Sequence, residues 1–397
     1  LTRSSSFFLF FAVALSLVGA FHYYVWARLV RDLALPTGAH RALTAVVVLL
    51  FLSIPVTFSV ARSHSVEGMR PFLLAAFSWF GLLFMLVMIL AVVDVGRVAV
   101  TLLQKLMPEA PPSDPERRLA VTRMLGAGVA LVAGGAGTLA ARSGLTELVV
   151  KNVEVELARL PKSMAGTTVV QLSDIHVGST IQREYIERVV HTANALNADL
   201  IVITGDLVDG SVEQLREHVA PLADLRAKYG VFFVTGNHDY YSGAAAWCAE
   251  IERLGIRVLR NERVSIGAGD ASFDLAGVDD YSAGRFGRGH GPDLEKALAG
   301  RDSSREVILL AHQPRQIFEA ERKGVGLMLS GHTHGGQIFP WNFFVRLQQP
   351  VVAGLARFGE SQVYVSCGTG YWGPPMRLGA PAEVTKIVLQ PATRKPA

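Results

Sequence analysis

The chain has 397 residues, of which 50% are hydrophobic and only 18% charged, with a formal net charge of +4 at neutral pH. This length allows two or three units of about 100–200 residues each, and so small a net charge makes no electrostatic case for nucleic acid or an acidic partner. Two cysteines, Cys248 and Cys367, exclude a disulfide framework and lack zinc-site spacing; one bridge and two buried thiols both stay open.

Leu1 in place of methionine reads as a truncation or an unusual start. Apolar residues crowd the part before residue 142. A helix needs about 20 apolar residues to cross a bilayer, and segments 7–26, 42–61, 72–93 and 124–141 come near that length. The first closes on Tyr23, Tyr24 and Trp26, an aromatic set suited to the membrane interface. The third is expected to run past Asp94 and Arg97, which sit three apart and can pair at the membrane edge. The fourth carries Gly126, Gly128, Gly134, Gly135 and Gly137, small residues that let helices approach closely. Buried helices of a soluble domain are the alternative, but four such runs in succession speak against it.

Lysine and arginine in the loops set orientation. Arg28, Arg31 and Arg41 follow the first helix, and Arg97, Lys105, Arg117, Arg118 and Arg123 follow the third, against Arg3, Arg62 and Arg70 on the other side. The first and third loops are therefore expected in the cytoplasm. The N-terminus and the C-terminal domain then face the periplasm or exterior of a multi-pass protein of the cell (inner) membrane. Arg117-Arg118 before a small-residue segment is similar to an internal twin-arginine export signal, without the bulky apolar residues that usually follow the pair. Cleavage near residues 138–140 would release the domain, whereas the three preceding helices favour retention. Residues 108–116, with four prolines, read as an extended connection, and 142–148 as a linker.

From residue 149 the texture changes. Val153, Val155 and Leu157 alternate with Asn152, Glu154 and Glu156, the period of a half-buried strand. Apolar strands are predicted over 167–172, 199–204, 231–234, 306–310 and 327–330, with helices over 183–196, 212–229 and 245–254 and closing strands over 363–366 and 383–389. Each strand of the first set ends at a polar cluster: Asp174-Ile-His176, Gly205-Asp206-Leu-Val-Asp209, Gly236-Asn237-His238-Asp239, His312 and Gly331-His332-Thr333-His334. Sites in open α/β sheets gather outside the carboxyl ends of the strands, so clusters far apart in sequence can converge.

These five blocks, in this order, resemble the calcineurin-like metallophosphoesterase superfamily, and within it the bacterial membrane-anchored phosphodiesterases that carry GHTHGGQ, here residues 331–337. The resemblance covers residues 149–397. It implies a four-layer α/β sandwich with two packed mixed sheets, which would follow the all-α transmembrane bundle of about four helices read from the apolar segments. It also implies two divalent metal ions. Asp174, His176 and His334 would hold one, Asn237, His312 and His332 the other, and Asp206 would bridge both. Mixed nitrogen and oxygen donors suit Mn, Fe, Zn or Co better than Ca or Mg. A hydroxide shared by the two ions would attack phosphorus. His238 would touch the phosphoryl oxygens or protonate the leaving alkoxide, with Asp239 fixing its tautomer and Asp209 supporting the ligands by hydrogen bonds. Out of context His312 reads as a core or surface histidine, and Asp209 and Asp239 as turn carboxylates. His191, His218 and His290 match no block and read as surface residues.

Three further stretches are candidates. Arg285 and Arg288, in the glycine-rich loop 284–291, either hold a substrate phosphate or lipid headgroup or sit in a solvated loop. The apolar run 338–344 either meets a bilayer, lines a lipid channel or packs in the core. Residues 368–379, with Tyr371, Trp372 and Arg377, are expected to border the cleft, Arg377 as a substrate contact. The favoured function is a membrane-anchored phosphoesterase acting on a phosphodiester or phosphomonoester of a lipid or envelope component. Hydrolysis of soluble nucleotides or nucleic acid is the enzymatic alternative, although no basic stripe with interleaved aromatics supports nucleic acid. A non-catalytic metal-binding membrane scaffold is the other.

Overall fold

The computed structural model describes residues 3–61, 67–106 and 114–392. The chain divides into two compact units, one made of the first 141 residues with Gly373–Met376, the other of the remainder.

The first unit is helical. It comprises α1 (Arg3–Trp26, prolonged by a π-turn over Ala27–Arg31), α2 (Thr37–Ala61), α3 (Arg70–Leu106) and the greater part of α4 (Pro115–Thr146). All four are long and apolar enough to cross a membrane. Helices satisfy their own backbone groups, which hydrocarbon requires of any spanning segment. Val25, Ile54, Leu86, Leu90 and Val129 pack inside the bundle, while Leu49, Val92 and Leu131 stand well exposed. That is the inverse of a water-soluble helix and fits a lipid surround.

The helices outrun the predicted segments for identifiable reasons. Asp94 does not end α3, because it accepts from Tyr24 Oη (2.7 Å), Arg28 Nε (2.9 Å) and Arg97 Nη1 (3.4 Å). Pro115 suits the first turn of α4, where its missing N–H costs nothing. Of the five glycines on α4, Gly126 and Gly137 face close neighbours: a Cβ there would meet Leu33 at 3.0 Å and Leu82 at 3.1 Å. The helix runs unbroken through residues 138–140. Residues 107–113, most of the proline-rich connection, lie outside the described residues, as does Arg62.

The second unit holds twelve strands: β1 (Val149–Leu157), β2 (Thr168–Leu172), β3 (Leu200–Thr204), β4 (Val231–Val234), β5 (Arg257–Val258), β6 (Glu262–Ala268), β7 (Ala271–Gly277), β8 (Val307–Leu310), β9 (Leu327–Ser330), β10 (Gly354–Phe358), β11 (Ser361–Val365) and β12 (Glu383–Pro391). They form two six-stranded sheets, ordered β1-β12-β2-β3-β4-β5 and β10-β11-β9-β8-β7-β6. Both are mixed. The central strands β2, β3 and β4 are parallel, as are β7, β8, β9 and β11, while β12 against β2, β6 against β7 and β10 against β11 are antiparallel.

Strand alternation then sorts the side chains into layers. Leu200 and Val202 of β3 point between the sheets, against Phe273, Leu275, Ile308 and Leu329. Ile201 and Ile203 point outward, onto Ile186 and Val189 of α5 (Arg183–Ala195), Leu215 of α6 (Val212–Val219) and their neighbours. On the far side Leu309 and Met328 meet Ile317 and Ala320. The result is the expected four-layer sandwich, its central strands buried on both faces and therefore apolar throughout. The helix predicted over 212–229 stops at Val219 and gives way to a 3-10 turn, Ala220–Asp224, at Pro221, which has no N–H to continue the ladder.

Asp94→Ala is expected to destabilise the helical unit by about 2 kcal/mol, because Arg28 and Arg97 lose a charged acceptor. In detergent this should read as a melting temperature lower by a few degrees. An unchanged melting curve would class the cluster with surface pairs that contribute nothing.

Candidate metal centre

Strand direction decides where the polar blocks go. The carboxyl ends of β2, β3 and β4 deliver Asp174, Asp206 and Asn237, and those of β8 and β9 deliver His312 and His332. Because strands within each group are parallel, all five blocks leave at the same edge of their sheets. Asp174, His176, Asp206, Asn237, His312 and His334 are buried, and His332 and His238 half-buried.

The ligand atoms fall into sets compact enough to hold an ion: Asp174 with His176 and His334; Asp206 with His312 and His332; and His176 with Asp206 and His238. His176 Nε2 lies 3.0 Å from His334 Nε2, and His312 Nε2 lies 3.3 Å from His332 Nδ1. Asp206 sits between the two pairs, its Oδ2 at 3.1 Å from His312 Nε2 and 3.9 Å from His176 Nε2. Two imidazole nitrogens brought within 3.0–3.3 Å of each other on either side of Asp206 leave a spacing in which a cation could be shared among them. The Oδ1 of Asn237 is buried without a hydrogen-bond partner, a costly state for an amide oxygen and the one a metal would relieve. The residues present therefore fit two metal ions.

The supporting bonds set which ring nitrogen faces inward. His312 Nδ1 donates to the Thr204 carbonyl at 2.8 Å, which leaves Nε2 toward Asp206. His176 Nδ1 lies 3.1 Å from Asp209 Oδ2, which leaves Nε2 toward His334. Asp174 accepts from Ser173 Oγ (2.5 Å) and from the His332 N–H (2.8 Å), so the first and last blocks lock together. Asp206 accepts from the His238 N–H at 2.8 Å.

Burial would raise the Asp206 carboxyl, but His312, His238 and His176 beside it hold it well below the usual carboxylate range. Burial and the neighbouring His312 push His332 down to about 3. Burial, His176 and Arg377 keep His334 well below its ordinary value. Both rings are neutral at pH 7, the form that binds metal. Burial opposes protonation of His238, but Asp206 and Asp209 raise it to about 9.

The backbone shares in the arrangement. Asp174, His176, Asp206, His332 and His334 all have φ between 50° and 71°, the left-handed region that side chains other than glycine rarely occupy. Such strain is characteristic of functional sites, where surrounding structure over-determines the conformation. A Cβ on Gly331 would collide with the Asp174 carboxylate and the Ser173 hydroxyl, and one on Gly236 with the Asp206 carboxylate.

Comparison with known proteins agrees with this geometry. The calcineurin-like phosphoesterase profile matches residues 167–336. A Bos taurus transmembrane protein with metallophosphoesterase domain is 40% identical over 398 residues, covering 96% of this chain and 88% of that protein. The chain belongs to the calcineurin-like metallophosphoesterases. A Danio rerio protein of the same description is 43% identical over 252 residues, covering 61% of this chain and 57% of its own length. A Helicobacter pylori metallophosphoesterase is 39% identical over 279 residues, covering 70% and 73%. The chain is thus a metal-dependent phosphoesterase with membrane-spanning helices.

Several expectations about this metallophosphoesterase change. Asp239 does not touch the His238 ring. Its carboxylate accepts from the backbone N–H groups of Gly236 (2.7 Å), Leu207 (2.9 Å), Asp206 (3.0 Å) and Val208 (3.3 Å), clamping the loop that carries Asp206. Asp209 orients His238 instead, with Oδ1 2.6 Å from its Nδ1. Arg377 is no substrate contact: its side chain is buried and donates to the carbonyls of Cys367, Gly370 and Ala380 and lies 3.2 Å from His334 Nδ1. Cys248 and Cys367 are separate, buried free thiols. Arg285 and Arg288 lie on an exposed loop whose Phe286 packs on Tyr240 and Tyr241, Tyr241 in turn touching His238. Residues 339–344 do not fill the core; Phe339, Trp341, Phe343 and Phe344 are exposed.

Sequence reasoning missed Asp280, which accepts from Gln313 Nε2 at 3.0 Å, directly beside His312. Trp372, expected at the cleft border, has a role the sequence did not specify: its ring packs edge-on against His238 and its backbone is held at both N–H and C=O by Gln337. Asp279-Asp280 follows the end of β7, so the rule that found the other clusters would have found this one.

Gly331→Ala should displace the Asp174 carboxylate and weaken metal binding by about 10–100-fold, measured as metal per chain by inductively coupled plasma mass spectrometry after dialysis. Full retention of metal would show slack at this strand end that the packing contradicts.

Proposed function

We propose that this membrane phosphoesterase hydrolyses a phosphodiester or phosphomonoester of a lipid or other envelope component, using a dinuclear centre at the sheet edges. Asp174, His176 and His334 would hold one ion and Asn237, His312 and His332 the other, with Asp206 shared. The observation that carries this reading is the unpartnered, buried Oδ1 of Asn237 among converging carboxylates and imidazoles. When bound, two such ions lower the pKa of water toward neutrality and polarise phosphoryl oxygens.

His238 stands beside this centre with Nδ1 engaged by Asp209, so Nε2 is the atom left to act. From there it would contact a phosphoryl oxygen or pass a proton to the departing alkoxide as the P–O ester bond breaks. Tyr241 and Trp372 hold the ring edge-on from two sides, fixing its plane. Arg285 and Arg288, carried on the neighbouring aromatic loop, would meet the anionic part of the substrate. Anchoring by four helices restricts the enzyme to the bilayer and its surroundings, which favours an envelope substrate over a soluble nucleotide. The excess of Lys and Arg in the first and third helix connections supports an external or periplasmic catalytic domain.

His238→Ala is expected to keep its metal and lose turnover by about 100-fold or more, assayed on a chromogenic phosphodiester with manganese or zinc added. Activity equal to the unaltered protein would remove His238 from the mechanism. For orientation, a thiol placed by Arg288→Cys should react with a membrane-impermeant maleimide in intact cells, the native Cys248 and Cys367 being buried. Labelling only after lysis would put the domain in the cytoplasm.

A further inference from the structure

A polar cavity is lined by residues other than the expected metal ligands, one wall of it, Gln349, donating to Gln313 beside His312. Its volume is about 580 Å³, and its wall includes Arg315, Arg322, Arg346, Gln316, Glu319 and Leu347. None of these residues belongs to the dinuclear site. The lining carries three arginines against one carboxylate, Glu319, and among the described residues no ion pair engages Arg315, Arg322 or Arg346. Arg315 lies instead over the ring of Tyr281, 4.7 Å from its centroid. Gln316 is only 4% exposed and its Oε1 is buried without a hydrogen-bond partner. A buried acceptor left unmatched in an arginine-rich cavity can take a hydrogen bond from a donor on an anionic ligand.

The rim is apolar. Leu347 is 83% exposed, and the helix just before Arg346, Trp341–Val345, presents Trp341, Phe343 and Phe344 to solvent beside Phe339. Trp341 and Phe344 pack on each other, as do Phe339 and Phe343, so the ridge is an ordered surface. Exposed aromatics of this kind suit the boundary between headgroups and acyl chains. Arginines pair with phosphate through paired N–H groups, and a carboxamide oxygen accepts from a hydroxyl.

We propose that this cavity binds the headgroup of an anionic, hydroxyl-bearing phospholipid, with Arg315, Arg322 and Arg346 on the phosphate and Gln316 on a headgroup hydroxyl, while the aromatic ridge enters the bilayer interface. Charge complementarity selects the occupant, and the four membrane helices of the same chain supply the bilayer. The site rests on the membrane character of the chain and is independent of the substrate proposed above.

The test uses the full chain in nanodiscs of phosphatidylcholine, with or without about 30% phosphatidylglycerol, followed by amide hydrogen exchange. Exchange over 315–322 and 341–350 should slow about tenfold in the anionic discs only. Arg322→Gln/Arg346→Gln, changing two exposed side chains, should abolish that difference and leave turnover of bis(4-nitrophenyl) phosphate within about twofold. Equal protection in both discs would overturn the headgroup site. Equal protection by glycerol 1-phosphate in neutral discs would make the cavity a site for a soluble phosphate compound. Loss of turnover together with protection would merge it with the catalytic cleft.

Discussion

The carboxylate of Asp206 is where the two sheets meet chemically. It is buried, accepts the backbone N–H of His238 and lies within reach of His312 from one sheet and His176 from the other. A group so placed is tolerable only when surrounded by positive charge, and the fold provides for it twice over. Imidazoles converge on it, and the peptide that carries it is clamped by Asp239 through four backbone N–H groups. The cost of burying this carboxylate fits the firm hold on the neighbouring loops and the left-handed backbone of Asp206 and of four residues around it, Asp174, His176, His332 and His334.

From that constraint the division of labour among the carboxylates follows. Asp174 locks the first block to the last, Asp239 shapes the loop under Asp206, and Asp209 spans His176 and His238. Asp209 thereby couples the ring of a proposed metal ligand to the ring proposed to handle the substrate. A change there would be felt at both. Behind them Arg377 ties the final loop to His334 through several carbonyls, a structural cation whose full burial is matched by acceptors.

Much of this was legible before the structure because two signals coincide. Apolar runs such as 199–204 mark strands buried on both faces, and the polar cluster after each marks the carboxyl edge, so Asp174, Asp206, Asn237, His312 and His332 could be placed together from order alone. What escaped was set by geometry that spacing does not encode. Asp209 and Asp239 both neighbour ligand blocks, and only the path of the helical turn at Asn237–Tyr241 decides which reaches the His238 ring. Arg377 reads as a cleft cation until the surrounding carbonyls are seen. The run 338–344 has the composition of core, yet its exposure depends on a short helix that lies on the surface. Helix ends moved for local reasons, Pro221 shortening α6 and the pairing of Asp94 lengthening α3.

The central claim is that two ions share Asp206. X-ray absorption at the metal edge of protein loaded with manganese tests it most directly. A metal–metal scattering path at about 3.5–4 Å, lost in Asp206→Ala, is the predicted result. A single ion per chain with only nitrogen and oxygen neighbours would contradict it.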